Sequence, residues 1–260
     1  MLRGKSAIVT GSTGGIGLVI ARALAQEGCD LMINGFGKPA DLESLRKELI
    51  GDYGVRVLYS GADVGRRDQV EMMIEQAESA FGTVDILVNN AGIQHTALIE
   101  DFPPQKWDEI LNVNLSSAFH TIRRLIPGMK KQRWGRIVNI ASVHGLVAST
   151  HKSAYVAAKH GLVGLTKVVA LEAATDGVTC NAICPGFVRT PLVEKQIEAR
   201  AQQKGLTVPE AAADLLGEKQ PTLTFVTPEA IAGLVVFLCG PMGSTMTGGT
   251  YTLDGGWTAR

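Results

Sequence analysis

The sequence predicts a doubly wound α/β fold: a seven-stranded parallel sheet, helices on both faces, and a lid segment after the sixth strand. Three observations carry this. Short apolar runs alternate with helical stretches along all 260 residues. The runs are apolar nearly throughout, as strands covered on both faces require. A glycine-rich turn follows the first run at once and opens a helix. Unbroken β–α alternation needs crossover connections, and these make the strands parallel.

Strands are expected over 5–10, 29–34, 55–60, 85–89, 136–142, 178–184 and 250–253. Between the first two, Ile16, Ile20, Ala23 and Leu24 recur at three- and four-residue spacing, which is one face of a crossover helix. Further helices are expected over 41–50, 68–81, 105–129, 153–175 and 228–239. One stretch departs from the alternation: 186–227, about forty residues without a clear strand and partly helical, has the length of a lid or binding loop. No linker, repeat or low-complexity stretch interrupts the chain, so residues 1–260 read as one domain.

Composition narrows the function. The 25 basic and 25 acidic side chains cancel to a net charge of 0, which argues against a nucleic-acid partner held by bulk charge. The basic cluster 130–136 reads as a solvated turn between helix and strand. The longest apolar run, 230–240, falls short of the ~18 residues of a membrane span. The apolar run 7–9 is cut by the polar, glycine-rich 10–15, whereas an export signal needs a core of ~7–15 residues. Neither a membrane partner nor export is expected. Cys29, Cys180, Cys184 and Cys239 are too scattered for a disulfide framework. They read as small buried apolar side chains in a reducing cytoplasm. No His and carboxylate cluster has zinc-ligand spacing, so no metal is expected.

Three motifs carry chemistry. Gly11-Ser12-Thr13-Gly14-Gly15-Ile16-Gly17 lies between the first strand and the first helix. A pyrophosphate can sit there on free backbone N–H groups, with glycines permitting the turn and the close approach. Asn89-Asn90-Ala91-Gly92 ends the fourth strand, where a doubly wound sheet reverses its strand order and opens a crevice. Ser142 ends the fifth strand, and Tyr155 and Lys159, four apart, share one face of the helix that follows. A phenol of pKa near 10 is a poor base at neutral pH unless a fixed cation favours the phenolate, and Lys159 can be that cation.

Taken together, Thr10-Gly11-x-x-x-Gly15-Ile16-Gly17, Asn89-Asn90-Ala91-Gly92, Asn114, Ser142, Tyr155-x-x-x-Lys159 and Pro185-Gly186 resemble the short-chain dehydrogenase/reductase family in order and spacing. The resemblance spans essentially the whole chain. It implies a Rossmann fold, a nicotinamide cofactor and a catalytic tetrad. In that tetrad Tyr155 is the acid/base, Lys159 lowers its pKa and holds the ribose, Ser142 binds the substrate oxygen, and Asn114 orders a proton-relay water. The cofactor contacts it implies are Gly11, Thr13, Gly15, Ile16 and Gly17 in the first turn and Phe36, Asp63 and Val64 at the second and third strand ends. To these it adds Asn90, Ala91 and Gly92, the Tyr155–Lys159 pair, and Pro185, Gly186, Val188 and Thr190. Gly14 stands where many members have serine.

The connecting segments are similar to one subgroup, the bacterial D-3-hydroxybutyrate dehydrogenases. These are 34–37, 92–97, 144–148, 152–155, 192–196 and the terminal Asp254-Gly255-Gly256-Trp257-Thr258-Ala259-Arg260. This similarity implies NAD-dependent, reversible oxidation of a small 3-hydroxy acid, with Gln94, His144, Lys152 and Gln196 around its carboxylate, in a cytoplasmic homotetramer. Phe187 stands where that subgroup has tryptophan. NAD is expected over NADP because no arginine follows the second strand to receive a 2′-phosphate. The ribose-reading acid usually found there is also absent near Phe36. Two other readings fit the fold: a 3-oxoacyl-carrier or other short-chain ketoreductase, and a dinucleotide-sensing protein without catalysis. The intact Ser142, Tyr155 and Lys159 speak against the second.

Overall fold

The computed structural model describes residues 2–259; Met1 and Arg260, the last residue of the terminal motif, lie outside the described residues. Seven strands form one sheet: β1 (Ser6–Val9), β2 (Asp30–Asn34), β3 (Val57–Ser60), β4 (Ile86–Asn89), β5 (Gly135–Ile140), β6 (Val178–Pro185) and β7 (Thr250–Leu253). Their order is β3-β2-β1-β4-β5-β6-β7, with every pairing parallel. The strand order reverses between β1 and β4, where Ile8 pairs with Leu87. The C-terminal ends of those two strands therefore open the crevice in which a doubly wound sheet takes its ligand.

The alternation of strand side chains divides the core into two layers. Ala7 and Val9 face one layer with α1 (Gly15–Gln26) and α9 (Pro228–Cys239), while Ile8 faces the other with α3 (Arg67–Phe81) and α5 (Ser117–Lys131). Ile8, Ile33, Ile86 and Leu87 are fully buried, each contributing about 1.5–3 kcal/mol by leaving water. The four cysteines are free and buried, as expected. Burial pushes the Cys29 and Cys239 thiols up to about 12, so they are inert side chains of the core.

Two departures from the expected elements bear on function. The helix expected over 105–129 is α4 (Pro104–Leu111), a π-helical turn (Asn112–Ser116) and α5 in sequence. A π turn widens the backbone by one residue and re-aims its side chains, and such turns recur at functional sites. Here the turned residue is Asn114. Its amide accepts from the Ile93 N–H (2.8 Å) and donates to the Ile93 carbonyl (2.9 Å). The stretch 186–227 holds two helices, α7 (Pro191–Lys204) and α8 (Val208–Gly217), the second begun by a capping box of Thr207 and Glu210. They share a small apolar core of Val193, Ile197, Ala211 and Leu215. The ends of the excursion are pinned together: Val188 pairs with Val226, whose N–H donates to the Phe187 carbonyl (2.9 Å).

Of the remaining helices, α2 (Pro39–Tyr53) joins β2 to β3, and α6 (Ser153–Ala173) carries Tyr155 and Lys159. The stretch Ser153–Asp176 is long and apolar enough to cross a membrane by length and composition alone. In the fold its Ala158, Leu162, Thr166 and Ala170 are buried. Thr166 takes part in a polar network inside the core. Asn139 Nδ2 donates to its hydroxyl (2.9 Å), Asn89 Nδ2 donates to the side-chain oxygen Asn139 Oδ1 (2.9 Å), and the Thr121 hydroxyl donates to Asn89 Oδ1 (2.8 Å). These bonds tie α6 and α5 to β4 and β5. They fix the height at which Tyr155 meets the strand ends, since a buried amide left unpaired costs about 1–3 kcal/mol.

Candidate active site

Two clefts meet above the strand ends. The larger, of ≈ 870 Å³, is lined by Gly11, Thr13, Ile16, Gly17, Phe36, Asp63, Val64, Asn90, Ala91, Gly92 and Thr190, among others. Its floor is backbone. Gly11 and Gly15 have φ of +63° and +55°, conformations that glycine adopts without strain. A Cβ on Gly17 would come within 2.3 Å of the Gly11 carbonyl oxygen. Asn90 locks the turn by donating to the Thr10 (2.9 Å) and Gly11 (3.1 Å) carbonyls, while the Thr10 hydroxyl accepts from the Asn90 and Ala91 N–H groups. A roomy cleft whose glycines leave amides bare at the start of α1 fits a dinucleotide, the pyrophosphate lying on the helix N-terminus.

Asn34, which the sequence reading did not single out, occupies the end of β2. It is buried, accepts from the Gly11 N–H (3.2 Å) and donates to the Ser60 and Ala62 carbonyls (3.1 and 2.9 Å). Its amide therefore braces the glycine turn. Phe36, 71% exposed, forms the rim. The charged residues lining this cleft are Asp63, Asp108 and Glu109, and among the described residues none that lines it is basic.

The second cleft, of ≈ 230 Å³, is the chamber over β5 and β6. Ser142, Tyr155 and Lys159 line it together with Gln94, His144, Lys152 and Gln196, so seven residues scattered over the sequence converge there. Pro185, Gly186 and Val188 line this chamber and not the larger cleft; Gly15 lines neither. Asn114 stands behind Gly92, where an added Cβ would lie 3.5 Å from its Oδ1 and 3.8 Å from Lys159 Nζ.

The electrostatics of the chamber are dominated by burial. Lys159 is buried, and desolvation brings its ammonium down to about 8, still charged at neutral pH. It donates to the Ile140 carbonyl (2.8 Å) and lies 5.6 Å from the Tyr155 ring centroid. Burial raises the Tyr155 phenol above 10, and its hydrogen bond with Ser142 works in the opposite direction. His144 is held at about 4 by burial first and then by the charges of Lys152 and Lys219, so it is a neutral imidazole at working pH. Its two nitrogens face Ser142 Oγ (3.4 Å) and Ser149 Oγ (2.9 Å). Burial, then the charge of Lys219, lowers the Lys152 ammonium. Trp257 closes the wall, edge-on to His144 (5.4 Å) and tilted against Phe187 (4.9 Å). It belongs to the terminal segment noticed in the sequence, but nothing local placed it in the chamber.

Fold and site together define a dinucleotide-binding α/β protein with a serine–tyrosine–lysine centre beside the cofactor cleft. The sequence model of the short chain dehydrogenases matches residues 5–201, and the chain belongs to that family. It is 56% identical to the D-beta-hydroxybutyrate dehydrogenase of Cupriavidus necator, over 100% of both chains. Identity to the enzyme of the same name from Rhizobium meliloti is 52%, over 98% of this chain and 99% of that one. Among solved structures, L-sorbose reductase from Gluconobacter frateurii, complexed with NADPH and L-sorbose, superposes with a TM-score of 0.94 at 31% identity, covering 100% of this chain and 98% of that one.

Proposed function

We propose that the protein is an NAD-dependent dehydrogenase that interconverts (R)-3-hydroxybutyrate and acetoacetate. The observation that carries this reading is the small chamber itself. A hydroxyl-binding pair, Ser142 and Tyr155, and four carboxylate-binding candidates, Gln94, His144, Lys152 and Gln196, line one space of ≈ 230 Å³. A buried carboxylate without partners would be costly, and donors of this kind offset that cost. Two relatives above 50% identity carry the matching name.

When bound, NAD supplies the acceptor for the hydride leaving C3 and a positive charge on its nicotinamide. The chain handles the proton. Tyr155, as phenolate, takes the hydroxyl proton as the C3–O bond becomes a carbonyl, and returns it in the reverse direction. Burial opposes the phenolate, so the Lys159 ammonium and the Ser142 hydroxyl offset it from the protein side. Ser142 Oγ donates to the substrate oxygen. Asn114, fixed on Ile93 by its π turn, has a second amide hydrogen for a relay water. Gly11, Thr13, Ile16 and Gly17 would hold the pyrophosphate, with Gly15 setting the turn, and Phe36, Asp63 and Val64 would hold the adenosine. Asn90, Ala91, Gly92, Pro185, Gly186, Val188 and Thr190 would hold the nicotinamide end. NAD is favoured over NADP because Asn34 is turned inward and the cleft lining holds acids and no base; a 2′-phosphate would meet only like charge.

The stretch 186–227 serves as the substrate lid of a single domain, bringing Gln196 to the acid and coupling closure to its presence. The active form is a cytoplasmic homotetramer, with Phe119 on α5 and Val168 and Leu171 on α6, all exposed, covered by a second subunit. The test is initial-rate assay of a panel of short 3-hydroxy acids with NAD and with NADP. The expected outcome is preference for (R)-3-hydroxybutyrate and for NAD. Turnover of carrier-linked 3-oxoacyl groups with NADPH, and none of the free acid, would overturn the reading.

A further inference from the structure

Lys219 lies outside every motif that identifies the family chemistry, yet it reaches the same wall as the substrate chamber. It directly follows the C-cap of α8, and its backbone is held there. The N–H groups of Lys219 and Gln220 both donate to the Leu216 carbonyl (3.0 and 2.7 Å). Gln220 is fully buried, accepts from the Phe187 N–H and donates to the Thr224 carbonyl (2.7 Å). The Lys219 ammonium stands 5.9 Å from the Trp257 ring centroid. Trp257 is fixed in turn by the last turn of the chain, where Asp254 accepts from the Thr258 N–H (2.9 Å) and hydroxyl (2.6 Å). A lysine seated on a rigid aromatic and anchored at its backbone is a preorganised cation.

Its neighbour is a second cation. Lys219 and Lys152 line one cavity of ≈ 570 Å³ that adjoins the substrate chamber and shares Lys152, Phe187, Gln196 and Trp257 with it. Each ammonium acts on the same imidazole, lowering His144, and Lys219 lowers Lys152. The nearby acid, Glu218, is engaged by Arg200 (2.8 Å). Among the described residues neither Lys152 nor Lys219 forms an ion pair with a carboxylate. Two partly desolvated like charges facing one space repel each other, and an anion between them relieves that repulsion. Neutral His144 cannot supply the countercharge, so the cations must.

We propose that Lys219 is a second specificity-determining residue, a cation carried by the lid segment that holds the substrate's carboxylate jointly with Lys152. This rests on the hydroxy-acid reading above. Lys219 does not touch the reacting atoms, and the proton step does not pass through it.

The test uses the full-length protein loaded with NADH and titrated calorimetrically with butyrate, a carboxylate lacking the reactive hydroxyl. Lys219→Met keeps the aliphatic stem over Trp257 and removes the charge; Lys219→Arg keeps the charge. Butyrate should bind about 3–5-fold more weakly to Lys219→Met, the upper end of what a partly exposed ion pair is worth, and within twofold of wild type to Lys219→Arg. In turnover, KM for (R)-3-hydroxybutyrate should rise by the same factor with kcat unchanged. Unchanged butyrate affinity in Lys219→Met would overturn the proposal and leave Lys219 as packing on Trp257. An equal loss for neutral butyramide would overturn it too. Wild type that binds butyrate through Lys219 but oxidises no 3-hydroxybutyrate would overturn the substrate reading and leave the carboxylate site standing.

Discussion

The two clefts that meet at Gly92 and Thr190 are built by opposite means. The larger one is a backbone device: positive-φ glycines, bare amides at the start of α1, and the amides of Asn34 and Asn90 bracing the turn from below. The chamber over β5 and β6 is a side-chain device, in which buried Lys159 and His144 and half-buried Tyr155 and Lys152 all ionise away from their ordinary values, desolvation being the first cause of each shift. A pyrophosphate can be recognised by geometry, and the chain meets it with uncharged backbone groups that carry no penalty for desolvating a charge. A proton transfer needs titratable groups in a dry place, and desolvation opposes their charged forms. The first half should therefore fail through shape and the second through charge.

Tyr155→Phe gives the sharpest separation. It should lower kcat by about 10²–10⁴-fold, the worth of a positioned acid/base, while NADH affinity by fluorescence titration stays within about twofold of wild type, as expected for loss of one hydroxyl. A parallel loss of NADH affinity would merge the two halves. Gly17→Ala tests the other side. Its Cβ would meet the Gly11 carbonyl oxygen at 2.3 Å, and the resulting shift should cost about 1–3 kcal/mol of stability together with most NADH affinity. Thermal unfolding and the same titration would check both, and tight NADH binding by this variant would break the backbone account.

A smaller effect should appear in the pH dependence of stability. His144 titrates at about 4 in the fold against 6.5 when free. As pH falls below 6.5 the unfolded chain binds the proton first, so this contribution is whole above about 6.5 and is lost progressively down to about 4. The shift corresponds to about 3 kcal/mol at most. His144→Gln should flatten denaturant-derived stability across that window, and an unchanged slope would show that the imidazole is not buried neutral.

The same contrast decides what could be read before folding. Strand alternation, the turn at Gly11–Gly17 and the Tyr155–Lys159 spacing are local, and local periodicity carries them. The polar chain Thr121–Asn89–Asn139–Thr166 joins four elements and has no signature in any one of them. The π turn at Asn114 is invisible for a related reason, since Asn112–Ser116 carries no pattern that tells a π turn from an α turn, and the partner of the Asn114 amide, Ile93, is twenty-one positions away. Asn34 reads as the end of a strand, and only the fold turns its amide under Gly11. The spacing Thr207-x-x-Glu210 was a legible signal, a capping box that marks the start of α8 within the lid stretch. Trp257 and Lys219 come from the chain end and the lid, and only tertiary packing brings them together.

The central claim, that the chamber selects an acid and oxidises its hydroxyl, is tested most directly by kcat/KM of wild type and Lys152→Ala for (R)-3-hydroxybutyrate and its methyl ester, with NAD. Charge-assisted hydrogen bonds are worth roughly 1.5–3 kcal/mol, so Lys152→Ala should cost about 10–200-fold for the acid. The ester, which wild type should use poorly, should show almost no further loss. Equal losses for acid and ester, or no loss for either, would contradict the account and leave Lys152 a solvated loop lysine.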